Sequence, residues 1–95
     1  QPGQLEIQQG EEAFVNENFA AAVGFFEKAV EARPRDGLLI LKLGAALFRS
    51  GRLEEARTRY QEALAEEPLP LSRRQQVLRY FTALRRQLVD RESSE

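Results

Sequence analysis

The 95-residue chain has no cysteine, no histidine, no methionine and no tryptophan. Without cysteine there is neither disulfide nor thiolate chemistry, and cysteine usage says nothing of the redox compartment. Without histidine the chain lacks the commonest metal ligand and the commonest general base. Methionine is missing even from the first position, where the chain reads Gln1-Pro2-Gly3, so a processed product or a segment of a longer polypeptide is expected. Long apolar runs are missing as well. None approaches the roughly 18 residues of a membrane span, and no signal-peptide pattern opens the chain; a soluble, cytoplasmic protein is expected.

Charge of one sign is not in excess either. The formal net charge is −1, whereas a chain organised around phosphate neutralisation would be strongly basic. The distribution is uneven: residues 1–36 carry seven acids and three bases, residues 37–70 five of each, and residues 71–95 six arginines and three acids. Such runs most often form solvated faces. The densest basic segment, with Arg73, Arg74, Arg79, Arg85 and Arg86, has only Tyr80 and Phe81 as aromatic neighbours, and Phe81 falls on an apolar stripe. The interleaved exposed aromatics of a nucleic-acid surface are therefore absent, and the sequence argues against nucleic acid as a partner.

Catalytic constellations are poor. Glu54-Glu55 and Glu66-Glu67 are adjacent pairs, which point about 100° apart on a helix and do not converge on one substrate. Ser50 and Ser72 sit at helix boundaries, where capping explains them, with no histidine to activate either. Gly24, Gly37, Gly44 and Gly51 are too scattered for a phosphate loop. No enzymatic activity, cofactor or metal is expected.

What the chain does have is a repeat. Gly3/Gly37, Leu5/Leu39, Gly10/Gly44, Phe14/Phe48, Ala22/Ala56, Ala29/Ala63 and Pro34/Pro68 are identical pairs, each 34 residues apart. Seven identities in one register exceed the roughly two expected from ordinary amino-acid usage. A period of that length belongs to helical solenoids.

Apolar residues recur at helical spacing in five blocks. The first, through Leu5, Ala13 and Phe14, is weak; the second, residues 19–32, carries Phe19, Val23, Phe26 and Val30 on one face. Asn16-Glu17-Asn18 forms the turn between them with Asn18 as N-cap, and Arg33-Pro34 ends the second block. A third helix over residues 38–49 stops at Ser50-Gly51, and a fourth over residues 53–66 stops before Pro68. The fifth begins with a Ser72-x-x-Gln75 capping box, carries Val77, Phe81, Leu84 and Leu88 as its stripe, and gives way to a polar tail at residues 91–95. Gly10 and Gly44 fall in mid-helix, where glycine costs about 1 kcal/mol against alanine, so a close helix approach is expected at both.

With these residues the chain resembles the tetratricopeptide-repeat family. The pattern of a small residue in helix A, Ala-x-x-x-Phe/Tyr-x-x-Ala in helix B and a closing proline is met by Gly10, Ala22, Phe26, Ala29 and Pro34, and again by Gly44, Ala56, Tyr60, Ala63 and Pro68. The first repeat departs from it, with Glu6, Gln9 and Ala13 at positions where the family prefers Trp, Leu and Tyr. The resemblance implies an all-α, short right-handed solenoid of five antiparallel helices in a single domain: repeats at residues 3–36 and 37–70, then a capping helix at 71–90.

It also implies a concave groove lined by the inner side of each helix A. The expected wall is Ile7, Glu11, Phe14 and Val15 from the first repeat, Leu38, Leu41, Lys42, Ala45, Phe48 and Arg49 from the second, and Arg79 with Gln76 from the fifth helix. An apolar centre with charges around it suits an amphipathic helix or an extended apolar peptide of a partner protein. The family's Lys/Asn/Arg clamp for the carboxylate of chaperone tails aligns with Ile7, Glu11, Lys42, Ser72 and Gln76, of which only Lys42 is a cation, so that mode of binding is not expected. The rival expectation is self-association, because two and a half repeats bury little core and a second copy would supply missing contacts.

Overall fold

In a computed structural model, which describes residues 2–66 and 71–93, the protein forms five helices in chain order: α1 Gln4–Val15, α2 Phe19–Ala32, α3 Gly37–Arg49, α4 Leu53–Ala65 and α5 Leu71–Ser93. No strand occurs among the described residues, and the all-α fold expected from the apolar spacing is the fold adopted. Consecutive helices pair, α1 with α2 and α3 with α4, while α3 also packs on α2 and α5 docks on α4 and reaches α3.

The 34-residue register is visible in the backbone of the turns. After α1, Glu17 has φ 62° and donates its N–H to Phe14 O at 3.0 Å, and Asn18 donates to Ala13 O at 2.8 Å. After α3, Gly51 has φ 84° and donates to Phe48 O at 3.1 Å, and Arg52 donates to Leu47 O at 2.9 Å. Both are Schellman closures, with one left-handed residue after the helix cap. Glycine takes that conformation freely in the second repeat; in the first a glutamate is held in it. The helices that follow start differently. Asn18 Oδ1 accepts from Ala21 N at 3.4 Å, and Asp36 Oδ1 accepts from Leu39 N at 3.1 Å, each satisfying an orphan first-turn donor. α4 has no side-chain cap; its Arg52 instead grips Glu55 with two hydrogen bonds of 2.9 and 2.7 Å.

The core lies where α2, α3 and α4 meet. Ala22, Val23, Phe26 and Ala29 from α2 and Ala56, Tyr60 and Ala63 from α4 close on α3, of which Leu39, Ile40, Leu41, Leu43, Gly44, Ala46 and Leu47 are all buried. Helix α3 is thus wedged on several sides, and α1, with only Gly10 and Ala13 buried, is the outer layer. Both mid-helix glycines serve an aromatic ring 16 residues later. A Cβ at position 10 would stand 2.6 Å from Phe26 Cε1, and one at position 44 would stand 2.7 Å from Tyr60 Cε1.

Three surface contacts join residues 31 apart, one repeat less about one helical turn, and the first two of them tie the first repeat to the second. Lys42 Nζ hydrogen-bonds Glu11 Oε1, Arg35 Nε lies 3.6 Å from Glu66 Oε2, and Arg33 Nε donates to the carbonyl of Pro2 at 2.8 Å. Exposed ion pairs contribute about 0–1 kcal/mol each, so the two charged contacts add little to stability.

The fifth helix departs from expectation in three ways. It starts at Leu71, so Ser72 lies within its first turn, and it continues to Ser93, three residues into the stretch expected as a polar tail. Leu78, expected from the sequence to bury with the apolar stripe of this helix against the second repeat, is instead 54% exposed. The stripe itself, the side chains of Val77, Phe81, Leu84 and Leu88, lies outside the described residues, as does Pro68. On the described side, Arg74 donates to the carbonyl of Leu64 at 3.3 Å and anchors the start of α5 to α4.

Candidate functional site

On the inner side of α1 and α3, facing α5, is an open cavity of about 380 Å³. α1 contributes Glu11, Phe14 and Val15, α3 contributes Leu38, Leu41, Lys42 and Ala45, and Phe26 and Gln76 complete the wall from α2 and α5. On α3 the residues 38, 42 and 45 are spaced four and three apart, one stripe of a helix, and Arg49 continues that stripe one turn further.

The wall is chiefly apolar, with one charged pair. Lys42 and Glu11 bond to each other across the α1–α3 junction, so each neutralises the other at the rim. Among the described residues, Val15 is the most exposed of the large apolar ones at 79%. Leu41 is 3% exposed and belongs mainly to the core, touching the cavity only at its floor. Phe48 likewise packs half-buried against the core rather than lining this cavity.

Two further expected residues stand at the margins. Ile7 lines a separate cavity of about 200 Å³ at the other end of α1 and α3, with Leu38 and Lys42 shared between the two. Arg79 is exposed on α5, one turn beyond Gln76. Phe26, on the apolar face of α2 and absent from the expected wall, also lines the cavity; the space beside Gly10 lets its ring reach both α1 and the cavity.

Arg49 has a support that sequence spacing did not indicate. Its guanidinium carbon lies 4.7 Å from the centroid of the Phe19 ring, and Phe19 in turn meets Phe14 edge-to-face, with centroids 5.2 Å apart and planes at 74°. The cation therefore stands on an aromatic pair whose second member, Phe14, is part of the cavity wall. Cation–π contacts at exposed sites contribute about 0.5–1 kcal/mol, enough to restrict the side chain's rotamers.

Away from this site, the Arg52–Glu55 pair perturbs its own ionisation: the hydrogen bond from Arg52 holds the Glu55 carboxyl below its ordinary value of 4.5, and the same bond raises Arg52 further above its own. Both groups are exposed at the start of α4, and the pair is a helix-start contact rather than catalytic chemistry.

Paired antiparallel helices in a 34-residue register, with an apolar hollow on the inner side of the first helix of each pair, define a helical-repeat protein of the interaction type. The chain belongs to the tetratricopeptide-repeat family, whose pattern it matches over residues 13–79. The repeats of this family are modules of protein–protein interaction. One relative is a peroxisomal targeting signal receptor of Kluyveromyces lactis, 37% identical over 65 residues. That match covers 68% of this chain and 12% of the relative, so the chain spans about an eighth of the receptor's length. No solved structure matches the chain. Among the described residues no helix is long and apolar enough to cross a membrane.

Proposed function

We propose that the protein is a non-enzymatic interaction module that receives an amphipathic helix or an extended apolar peptide of a partner protein in the cavity between α1, α3 and α5. The observation that carries this reading is the 380 Å³ apolar hollow with Val15, an exposed aliphatic side chain, at its rim. Water held against such a surface is released when an apolar side chain enters, which favours binding by about 25 cal/mol per Å² covered. The residues proposed to meet the partner are Phe14, Val15, Leu38, Ala45 and the accessible part of Leu41, with Ile7 and Phe48 as outlying apolar positions and Glu11, Lys42, Arg49 and Arg79 around them. The similarity to a targeting signal receptor supports a receptor-like role for the groove. Because Lys42 is already bonded to Glu11, the single cation of the chaperone-tail clamp is occupied, which favours other ligands.

The test is to fill the hollow. Ala45→Trp should abolish capture of the partner while far-ultraviolet circular dichroism stays unchanged; retained binding by a folded variant would refute the groove as the site.

Self-association is the second reading, favoured by Leu71, Leu78 and Val89, all exposed and spaced seven and eleven apart, hence on one stripe of α5. Sedimentation equilibrium separates the two: a monomer across the micromolar range supports the groove reading, and a concentration-dependent dimer lost in Leu78→Gln supports the other.

A further inference from the structure

Of the cations around the cavity, Lys42 is spent on Glu11, whereas among the described residues no carboxylate lies within ion-pair distance of Arg49 or Arg79. Arg49 extends the lining stripe of Leu38, Lys42 and Ala45 by one turn, about 6 Å along the axis. Its guanidinium carbon lies 4.7 Å from the centroid of the Phe19 ring, a contact that restrains the side chain while its N–H donors remain available to a carboxylate. Planar donors fixed in this way match a carboxylate, and less ordering entropy is lost when one binds. The one carboxylate among the lining residues, Glu11, is neutralised by Lys42, so an incoming acid meets no uncompensated like charge on the wall.

Resting on the proposed groove function, we propose that the partner segment is acidic as well as apolar: a bulky apolar side chain enters the cavity, and an aspartate or glutamate about one helical turn away pairs with Arg49. Arg79, one turn from Gln76 on the opposite wall, adds a second cation for an acid on the other flank. The charge pattern, rather than the apolar hollow, then sets which amphipathic segments are accepted.

A library of random 12-residue peptides displayed on phage, selected separately against the whole chain and its Arg49→Glu variant, tests this. The expected result is that wild-type pools are enriched in an acid three or four residues from a large apolar residue, and that the Arg49→Glu pool loses this enrichment. A peptide from the wild-type pool should bind Arg49→Glu about tenfold more weakly by fluorescence anisotropy, and exchanging its acid for lysine should restore affinity for the variant. Acid enrichment that is absent, or identical in both pools, overturns the inference. Selected peptides that still bind Ala45→Trp at full strength overturn the groove itself, whereas peptides blocked by Ala45→Trp yet indifferent to residue 49 overturn only the acidic requirement. A selection that returns no binding peptide counts against the groove, and this inference falls with it.

Discussion

The ring of Tyr60 occupies the space in which a β-carbon on Gly44 would stand: the two would be 2.7 Å apart at Cε1 and 2.8 Å at Cδ1. Tyr60 is fully buried, so the ring has no free direction in which to move. Alanine at position 44 gains about 1 kcal/mol in helix propensity but forces an overpacking strain of about 1–3 kcal/mol. Gly44→Ala should therefore lower the urea midpoint. Gly24 is the internal control, because a Cβ there meets nothing within 4 Å; Gly24→Ala should raise stability by about 0.5–1 kcal/mol. The same exchange with opposite signs in one protein is what equilibrium urea unfolding should find.

The two Schellman closures make a second pair. Glu17 is held at φ 62°, a conformation that costs a non-glycine residue about 1–2 kcal/mol, while Gly51 takes its equivalent without strain. Glu17→Gly should stabilise and Gly51→Ala should destabilise, each by about 1 kcal/mol, as read by thermal unfolding followed at 222 nm.

Leu41 and Val15 separate core from groove. Leu41→Glu places a carboxylate in a site that is 3% exposed and forfeits about 1.5–3 kcal/mol of apolar burial, so it should lose helix content together with binding. Val15→Glu changes a side chain that is 79% exposed, and its stability should stay within about 0.5 kcal/mol of the wild type. Circular dichroism of the two variants distinguishes them.

The Arg52–Glu55 contact predicts a pH signature. The carboxyl is depressed in the folded chain, so the stabilisation it provides is fully present above its ordinary value of 4.5 and is lost as pH falls through the lower folded value. In a carbon-13 titration the Glu55 carboxyl should have its midpoint below 4.5, and Arg52→Gln should move that midpoint upward. An unchanged midpoint would mean that the hydrogen bond does not persist in solution.

The fold was largely legible because its signals are local or periodic. Pro34 and Gly51, with the Asn16-Glu17-Asn18 turn, mark breaks that chain chemistry alone dictates, and the 34-residue register reports the stacking. Gly10 and Gly44 announced a close approach, and the structure supplied the rings of Phe26 and Tyr60. The candidate site was less legible. On α3, apolar residues occur on nearly every side because the helix is wedged between α2 and α4, so spacing alone could not say that Leu41 faces chiefly inward while Leu38 and Ala45 line the hollow. Two contacts were beyond local reasoning altogether. Phe19 with Arg49 and Glu11 with Lys42 are 30 and 31 residues apart, and they meet only because neighbouring repeats are offset by about one turn. Leu78 shows the converse: it stands 34 residues after Gly44, yet it carries a large exposed side chain, so α5 does not repeat the glycine–aromatic contact of the helices before it.

The central claim is that the hollow between α1, α3 and α5 receives the partner, and nitrogen-15 chemical-shift mapping tests it most directly. On addition of a peptide selected against the whole chain, the largest shifts should fall on Phe14, Val15, Leu38, Lys42, Ala45, Arg49 and Gln76. Shifts concentrated instead on the outer side of the first repeat, at Gln9, Glu12, Ala21 and Phe25, which line the cavity of about 300 Å³ there, would contradict it.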